Sequence, residues 1–482
     1  MLYHSTRNHN LTADSAQAVL QGLAPDGGLY MPERIPGFDW EACLRGNTQE
    51  MAVMILSALL PDIPDMEALV SQAYTGKFET EALTPTVEVG GFTVLELFRG
   101  PTSAFKDVAL SMLPQLLTAA KRACGVEDDI MILTATSGDT GKAALEGFRD
   151  VEGVRICVFY PDGGVSRVQR AQMVTQEGSN VTVCAVRGNF DDAQTGVKGI
   201  FAACRGREMP FRLSSANSIN IGRLAPQVTY YFKAYRDLMD RGVISLGERV
   251  NFSVPTGNFG DILAGYLAKK LGLPVGMLIC ASNANNVLTD FIHTGTYDRR
   301  RPLHKTLSPS MDILVSSNLE RLLYLMSGCD EALVAGLMEK LNRDGVYTVP
   351  EKMKQAIDAE FWAGCCDDAR ALQTIGRVWE ESRYLCDPHT AAGWAAAEDY
   401  VNQTGDRAPM VVLSTASPYK FPSAVLTAIG GENTGDEFEQ MERLLARTGV
   451  PVPPNLRNLK GKTERHTGVI GKEEMLPFVL GL

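Results

Sequence analysis

Apolar and polar residues follow two different rhythms along this chain. Through the first ninety or so residues there is no strand–helix alternation. A turn-rich stretch, LAPDGGLYMPERIPGF, leads to an amphipathic segment over 50–60, EMAVMILSALL, and then to another turn region. That pattern predicts a separate N-terminal unit over 1–92. From about Thr93 the rhythm changes to short apolar runs, rich in β-branched residues, each followed by a stretch of helix length. IMILTAT, VRICVFY and VTVCAV are the first three, and the grammar returns at VNFSVP, VGMLICAS and APMVVLSTA. Continuous apolar runs mark strands covered on both faces, as in parallel βαβ units. The fold class is therefore α/β, with two lobes of largely parallel sheet and a cleft between them. One lobe is expected over 93–230 and a larger one over 231–482, with a helical, charged insertion near 320–385.

Composition narrows what the cleft can serve. A chain of 482 residues exceeds the size of one ordinary domain. Its net charge of -11 is spread without any long block of one sign, so it lacks the clustered basic face that nucleic acid requires. Small anions stay open, because a few backbone N–H groups can hold them. No apolar run reaches 18 residues, and the start, MLYHSTRNHN, is polar, so neither a membrane span nor a secretory leader is expected. The ten cysteines form no C-x-x-C pair, the adjacent Cys365 and Cys366 are poorly placed for a disulfide, and the six histidines are dispersed. The expectation is a cytoplasmic protein with reduced thiols and no metal site.

Chemistry in such sheets gathers where strands run into loops, and four segments of that kind stand out. In RGPTSAFKDV, a small polar turn with Thr102 and Ser103 precedes Lys106 at a helix start, and Met112, Leu113, Leu116, Leu117 and Ala120 continue the helix. The positive end of the helix dipole favours a neutral amine there, which is the form Schiff-base chemistry uses. Taken alone, Lys106 also reads as a solvated surface lysine. In IMILTATSGDTGKAALEGF, Ser137, Asp139 and Thr140 follow a strand; they serve a ligand or equally well a helix cap. In VNFSVPTGNFGDILAGYLAKKLGL, the turn Gly257, Asn258, Phe259, Gly260 and Asp261 opens a helix. It matches neither the nucleoside-triphosphate loop nor the three-glycine dinucleotide fingerprint, and suits a single phosphate monoester. VVLSTASPYKF carries Thr415, Ser417 and Lys420 out of a buried strand, and alone it is merely a polar turn.

These segments resemble those of the threonine synthase family, in its longer form with an N-terminal extension. GLAPDGGLYMPE, PTSAFKD, LTATSGDTGKAA, VFYPDGGVSRVQRAQM, SANSINIGRLAPQ, SVPTGNFGDILAGYLAKKLGLPV, CDPHTAAG and STASPYKF follow one another in the family's order over nearly the whole chain. The resemblance implies a tryptophan-synthase-β-like, fold type II enzyme with pyridoxal 5'-phosphate as cofactor. It implies that Lys106 holds the cofactor covalently and shuttles protons, and that Gly257 to Asp261 hold the cofactor phosphate. Asp139 lies where related enzymes often have asparagine near the cofactor's 3′-oxygen, and Thr415 resembles the hydroxyl residue that faces the pyridine nitrogen. Many relatives read T-A-H-P-A-K-F, whereas this chain has Ser417 and Tyr419, so no contact of that histidine carries over.

The implied reaction takes O-phospho-L-homoserine and water to L-threonine and phosphate. Thr102, Ser103, Ser137, Asn217, Ser218, Arg223 and Lys420 are the candidate donors to substrate, since charge-assisted hydrogen bonds hold phosphate best. Alternatives are a serine or threonine dehydratase, a phospho-lyase acting on O-phosphohomoserine, and a non-catalytic binding protein that keeps the shape of the site. His389 reads as a structural histidine. The partner is the small-molecule substrate, with no nucleic acid or membrane, in a monomer or homodimer.

Overall fold

The structure is a computed structural model that describes residues 1–136, 138–204, 207 and 209–482. In chain order its strands are β1 (Leu2–Ser5), β2 (Asn8–Asp14), β3 (Tyr30–Pro32), β4 (Thr86–Val89), β5 (Phe92–Glu96), β6 (Ile130–Ala135), β7 (Val154–Pro161) and β8 (Val181–Val186). They continue as β9 (Arg212–Ser214), β10 (Val250–Pro255), β11 (Val275–Ser282), β12 (Thr296–Asp298), β13 (Val346–Thr348), β14 (Phe361–Cys365), β15 (Met410–Ser414) and β16 (Val469–Ile470). The larger sheet has the order β14-β11-β10-β15-β5-β4 and is parallel except for the edge strand β4. The smaller sheet, β16-β8-β7-β6-β9, is parallel throughout. A three-stranded antiparallel sheet, β2-β1-β3, lies in the N-terminal segment.

The six apolar runs of the sequence are β6, β7, β8, β10, β11 and β15. Every residue of β6, β10 and β15 is buried, which is why those runs show no polar alternation. Three expectations need correction. The boundary after residue 92 falls within β5, the second strand of a hairpin with β4, and β5 pairs with β15 through Thr93 and Val411. The start of the 93–230 segment thus belongs to the larger sheet. The 320–385 region is mostly helical but also supplies β14, which pairs with β11. Nor is the N-terminal segment separate, because Tyr3, Val19, Met51 and Leu56 share one core with Leu110, Leu113 and Leu117. A small unit covers little apolar surface alone and gains by packing on a larger neighbour.

The helix Lys106–Ala123 links these parts. Tyr74 donates from its hydroxyl to the Val108 carbonyl at 2.9 Å, tying the N-terminal segment to the helix. Pro114 lies inside the helix. It has no N–H for the Leu110 carbonyl, and at that point the helix Asp139–Phe148 crosses closely. A Cβ at Gly147 would overlap the Leu110 oxygen, so glycine there permits the approach.

Candidate active site

The loops at the C-terminal ends of β5, β6, β10 and β15 meet in one cavity of about 2280 Å³, to which the N-terminal residues Gly22 to Pro25 also contribute a wall. Lys106 projects into it from the first position of its helix. The loop before it is clamped to the end of β15: Phe105 donates its N–H to the Thr415 carbonyl at 2.8 Å, Ser417 donates to the Ser103 carbonyl at 3.1 Å, and Ala104 bridges Ala416. Lys106 Nζ donates to Ser310 Oγ at 3.2 Å and stands 3.9 Å from Asp139 Oδ2. Burial pushes its ammonium below the ordinary lysine range; Asp139 opposes the shift, and Lys420 and Arg223 reinforce it. The neutral amine is favoured, as a nucleophilic lysine requires.

Asp139 sits in the first turn of its helix and binds two cations. Its Oδ1 lies 2.7 Å from the fully buried Lys420 Nζ and accepts from Gln169 Nε2 at 2.8 Å. Burial alone would raise this carboxyl, but Lys420 and then Lys106 outweigh it and hold it well below the usual range. Lys420 Nζ also donates to the Thr102 carbonyl at 3.2 Å.

The Gly257–Asp261 turn opens the helix Gly260–Lys270. Among the described residues, the main-chain N–H groups of Gly257, Asn258, Phe259 and Gly260 find no acceptor. Four unsatisfied donors at a helix N-terminus form an anion cradle. A Cβ on Gly257 would come 2.6 Å from the Ser310 carbonyl oxygen, and Phe259 holds the left-handed conformation at φ 64°, a sparsely populated state for a bulky residue. The Asn318 N–H fixes the turn from outside by donating to the Asn258 carbonyl at 3.0 Å. Burial pushes the Asp261 carboxyl up to about 6.

Arg223 lines the same cavity, buried, with no carboxylate partner among the described residues. Its guanidinium donates to the Ala216 carbonyl, its Nε finds no acceptor, and burial lowers its pKa to about 10. Asn217 and Ser218 line the wall beside it, and the Ser218 hydroxyl lies 3.2 Å from that of Ser317. The Thr415 hydroxyl makes no hydrogen bond among the described residues, although Thr415 is buried on the cavity wall.

Two candidates point elsewhere. The Thr102 hydroxyl and N–H both donate to Asp107, at 2.5 and 2.8 Å, and Ser103 Oγ donates to Asn455 at 2.9 Å. Neither lines the cavity, so both shape the lysine loop from behind. Ser137 lies outside the described residues. Ser310, which touches Lys106, carries no motif that would have marked it; only the flanking Ser308 and Pro309 in TLSPSMD hint at a turn. His389 lines the cavity as well, though its sequence context marked it as structural.

A family model described as threonine synthase N terminus matches residues 2–74, one for pyridoxal-phosphate dependent enzymes matches 74–416, and one for the threonine synthase C-terminal part matches 390–475. Threonine synthase of Pseudomonas aeruginosa is 40% identical over 461 residues, covering 92% of this chain and 95% of that protein. Human threonine synthase-like 1 is 38% identical over 435 residues, covering 86% of this chain but only 58% of that longer protein. The chain thus spans a little over half the length of the threonine synthase-like 1 relatives. The crystal structure of pyridoxal-phosphate-bound threonine synthase from Brucella melitensis superposes with a TM-score of 0.88 at 40% identity, covering 100% of this chain and 98% of the other. By these matches, which run over nearly its whole length, the chain belongs to the threonine synthase family of pyridoxal-phosphate-dependent enzymes.

Proposed function

We propose that this chain converts O-phospho-L-homoserine and water to L-threonine and phosphate. One observation carries the reading: a single cavity holds a buried lysine amine between two separate sites for anions. The first is the run of free N–H groups from Gly257 to Gly260, and the second is the unpaired guanidinium of Arg223. The first fits the phosphate of pyridoxal phosphate, with Lys106 as the covalent anchor and the Thr415 hydroxyl available to the ring nitrogen. Asp139, kept anionic by Lys420, suits the neighbourhood of the 3′-oxygen. When bound, the cofactor supplies an electron sink for carbanion chemistry.

The residues of the chain then divide the work. Lys106, favoured as the neutral amine by burial, takes and returns the proton at the substrate α-carbon. Arg223, helped by Asn217 and Ser218, holds the γ-phosphate and steadies the charge on it as it leaves as inorganic phosphate. Removal of a β-proton drives the phosphate off the γ-carbon, the γ-carbon gains a proton and becomes the methyl group, and the hydroxyl of water then adds at the β-carbon as the α-proton is returned. Lys420 is bound to Asp139, so we assign it to tuning that carboxylate rather than to the substrate phosphate. A dehydratase substrate carries no phosphate, and we read the buried guanidinium of Arg223, which has no carboxylate partner among the described residues, as suited to the phosphorylated substrate. Among the described residues no helix is long and apolar enough to cross a membrane, and all ten cysteines are free thiols, which suits a reducing compartment such as the cytoplasm.

The test is to supply the purified protein with phosphohomoserine and assay inorganic phosphate, threonine and keto acid together. Phosphate with threonine in equal amounts is expected. Phosphate with a keto acid would make it a phospho-lyase, and keto acid from threonine without phosphate would make it a dehydratase.

A further inference from the structure

Ser310 stands on the loop that leads towards the helix Leu319–Met326, and three elements converge on it. Its hydroxyl accepts from Lys106 Nζ at 3.2 Å and donates to Asp139 Oδ2 at 3.4 Å, filling the gap between an amine and a carboxylate that are themselves 3.9 Å apart. Its N–H donates to His389 Nε2 at 3.2 Å. His389 is buried at the second position of the helix Pro388–Thr404, with its ring 5.0 Å from that of Phe421. With Nε2 as the acceptor, Nδ1 faces Asp387, whose Oδ2 lies 3.4 Å away, but Nδ1 makes no hydrogen bond among the described residues. Asp387 is fully buried and is held in turn by the Thr390 N–H and hydroxyl, each at 3.0 Å from its Oδ1.

We propose that Ser310 is a site residue that sets the orientation and protonation of the Lys106 amine, and that His389, buried against Phe421, is the positioning residue that holds Ser310 in place. The inference rests on the reading that Lys106 is the reactive amine. The other charged groups facing that amine are Asp139, Lys420, Arg223 and Asp261; all stay in place in the variants below.

The test uses the full-length, cofactor-free chain. Reductive methylation with formaldehyde and cyanoborohydride consumes only neutral amines, and mass spectrometry of the Lys106 peptide across pH reads the midpoint of its protonation. Ser310→Ala removes an acceptor from the ammonium form, so the midpoint should fall by about one pH unit, whereas Ser310→Thr keeps the hydroxyl and should hold the wild-type value. His389→Leu should shift the midpoint in the same direction, and His389→Gln, whose amide oxygen can accept the Ser310 N–H, should restore it. Circular dichroism checks that each variant is folded, and the two conservative variants keep the comparison available if Ser310→Ala or His389→Leu is not. A wild-type midpoint in Ser310→Ala, or equal shifts in His389→Leu and His389→Gln, would overturn the proposal, as would a lost wild-type midpoint in both conservative variants. Failure of the wild-type protein to make threonine from phosphohomoserine would sink the function reading while leaving these midpoints unchanged.

Discussion

Lys420 and Asp139 form a fully buried ion pair at 2.7 Å, and Asp139 shares its second oxygen with Lys106 at 3.9 Å. Asp139 therefore lies between two lysine side chains, and Arg223 adds a guanidinium to the same cavity with no carboxylate partner among the described residues. Buried basic side chains gathered on one cavity wall suit the binding of phosphate groups.

Breaking that pair should be costly. Lys420→Met leaves Asp139 with the more distant Lys106 as its nearest basic group, beside the neutral donors Gln169 and Ser310, and removing one partner of a buried pair costs about 3–5 kcal/mol. Adding Asp139→Asn should recover part of the loss, because the orphaned charge is gone. Urea unfolding of the two single variants and the double variant checks this, and additive losses would show that the two side chains are not coupled.

Arg223 should matter for substrate and not for cofactor. Arg223→Ala is expected to lower kcat/KM for phosphohomoserine by about 2–3 kcal/mol, on the order of a hundredfold. Arg223→Lys should recover a fraction only, since a point charge replaces a planar fork. Cofactor content, read from absorbance after gel filtration, should match the wild type. A variant that loses its cofactor would place Arg223 in the wrong anion site.

The cradle tolerates no Cβ at its first position. In Gly257→Ala the new carbon would meet the Ser310 carbonyl at 2.6 Å, so the loop has to move. The expected strain is about 1–3 kcal/mol, with a matching rise in the Kd for pyridoxal phosphate measured by fluorescence titration. Unchanged cofactor affinity would contradict the cradle.

Asp261 gives a pH signature. Its carboxyl is pushed up to about 6 by burial, above its value in an unfolded chain. Between about pH 4 and 6 the folded state therefore binds more protons than the unfolded one, and stability falls as pH rises through that window. A shift of this size corresponds to about 3 kcal/mol. Asp107, also pushed up to about 6 by burial, acts in the same direction. In the cofactor-free chain, Asp261→Asn should flatten the fall without abolishing it. Urea midpoints from pH 4 to 7 provide the comparison, and parallel profiles would refute the assignment.

Much of this was legible in the residues, for definable reasons. Strands such as β6 and β10 are covered on both faces, so their burial is written as unbroken apolar runs. Turns that must approach a ligand closely are written as glycines, and Gly257 and Gly260 lie where the free N–H groups are. What stayed hidden is tertiary. The pairing of β5 with β15, and not with the strand that follows it, has no local signature. Nor does the turning of Thr102 and Ser103 away from the cavity, which depends on Asp107 nearby and Asn455 far along the chain. Lys420 read as a free cation because the carboxylate that neutralises it lies in a different lobe. Ser310 is a serine among serines until the fold brings Lys106 to it.

The path of the chain through the smaller sheet has a consequence for how the protein is born. β16 closes the edge of β8, and Met475 and Val479 complete the core beside Phe159 and Val186, yet β6, β7 and β8 are made nearly three hundred residues earlier. On the ribosome, that half-built sheet waits with the β8 edge open and its apolar face covered only in part, by Ala193, Val197 and Ile200, until the last helix has been translated. An exposed edge is a template for pairing with other chains, and long-range closure is slow. The nascent smaller lobe is therefore the stage of synthesis at which a chaperone has the most to protect.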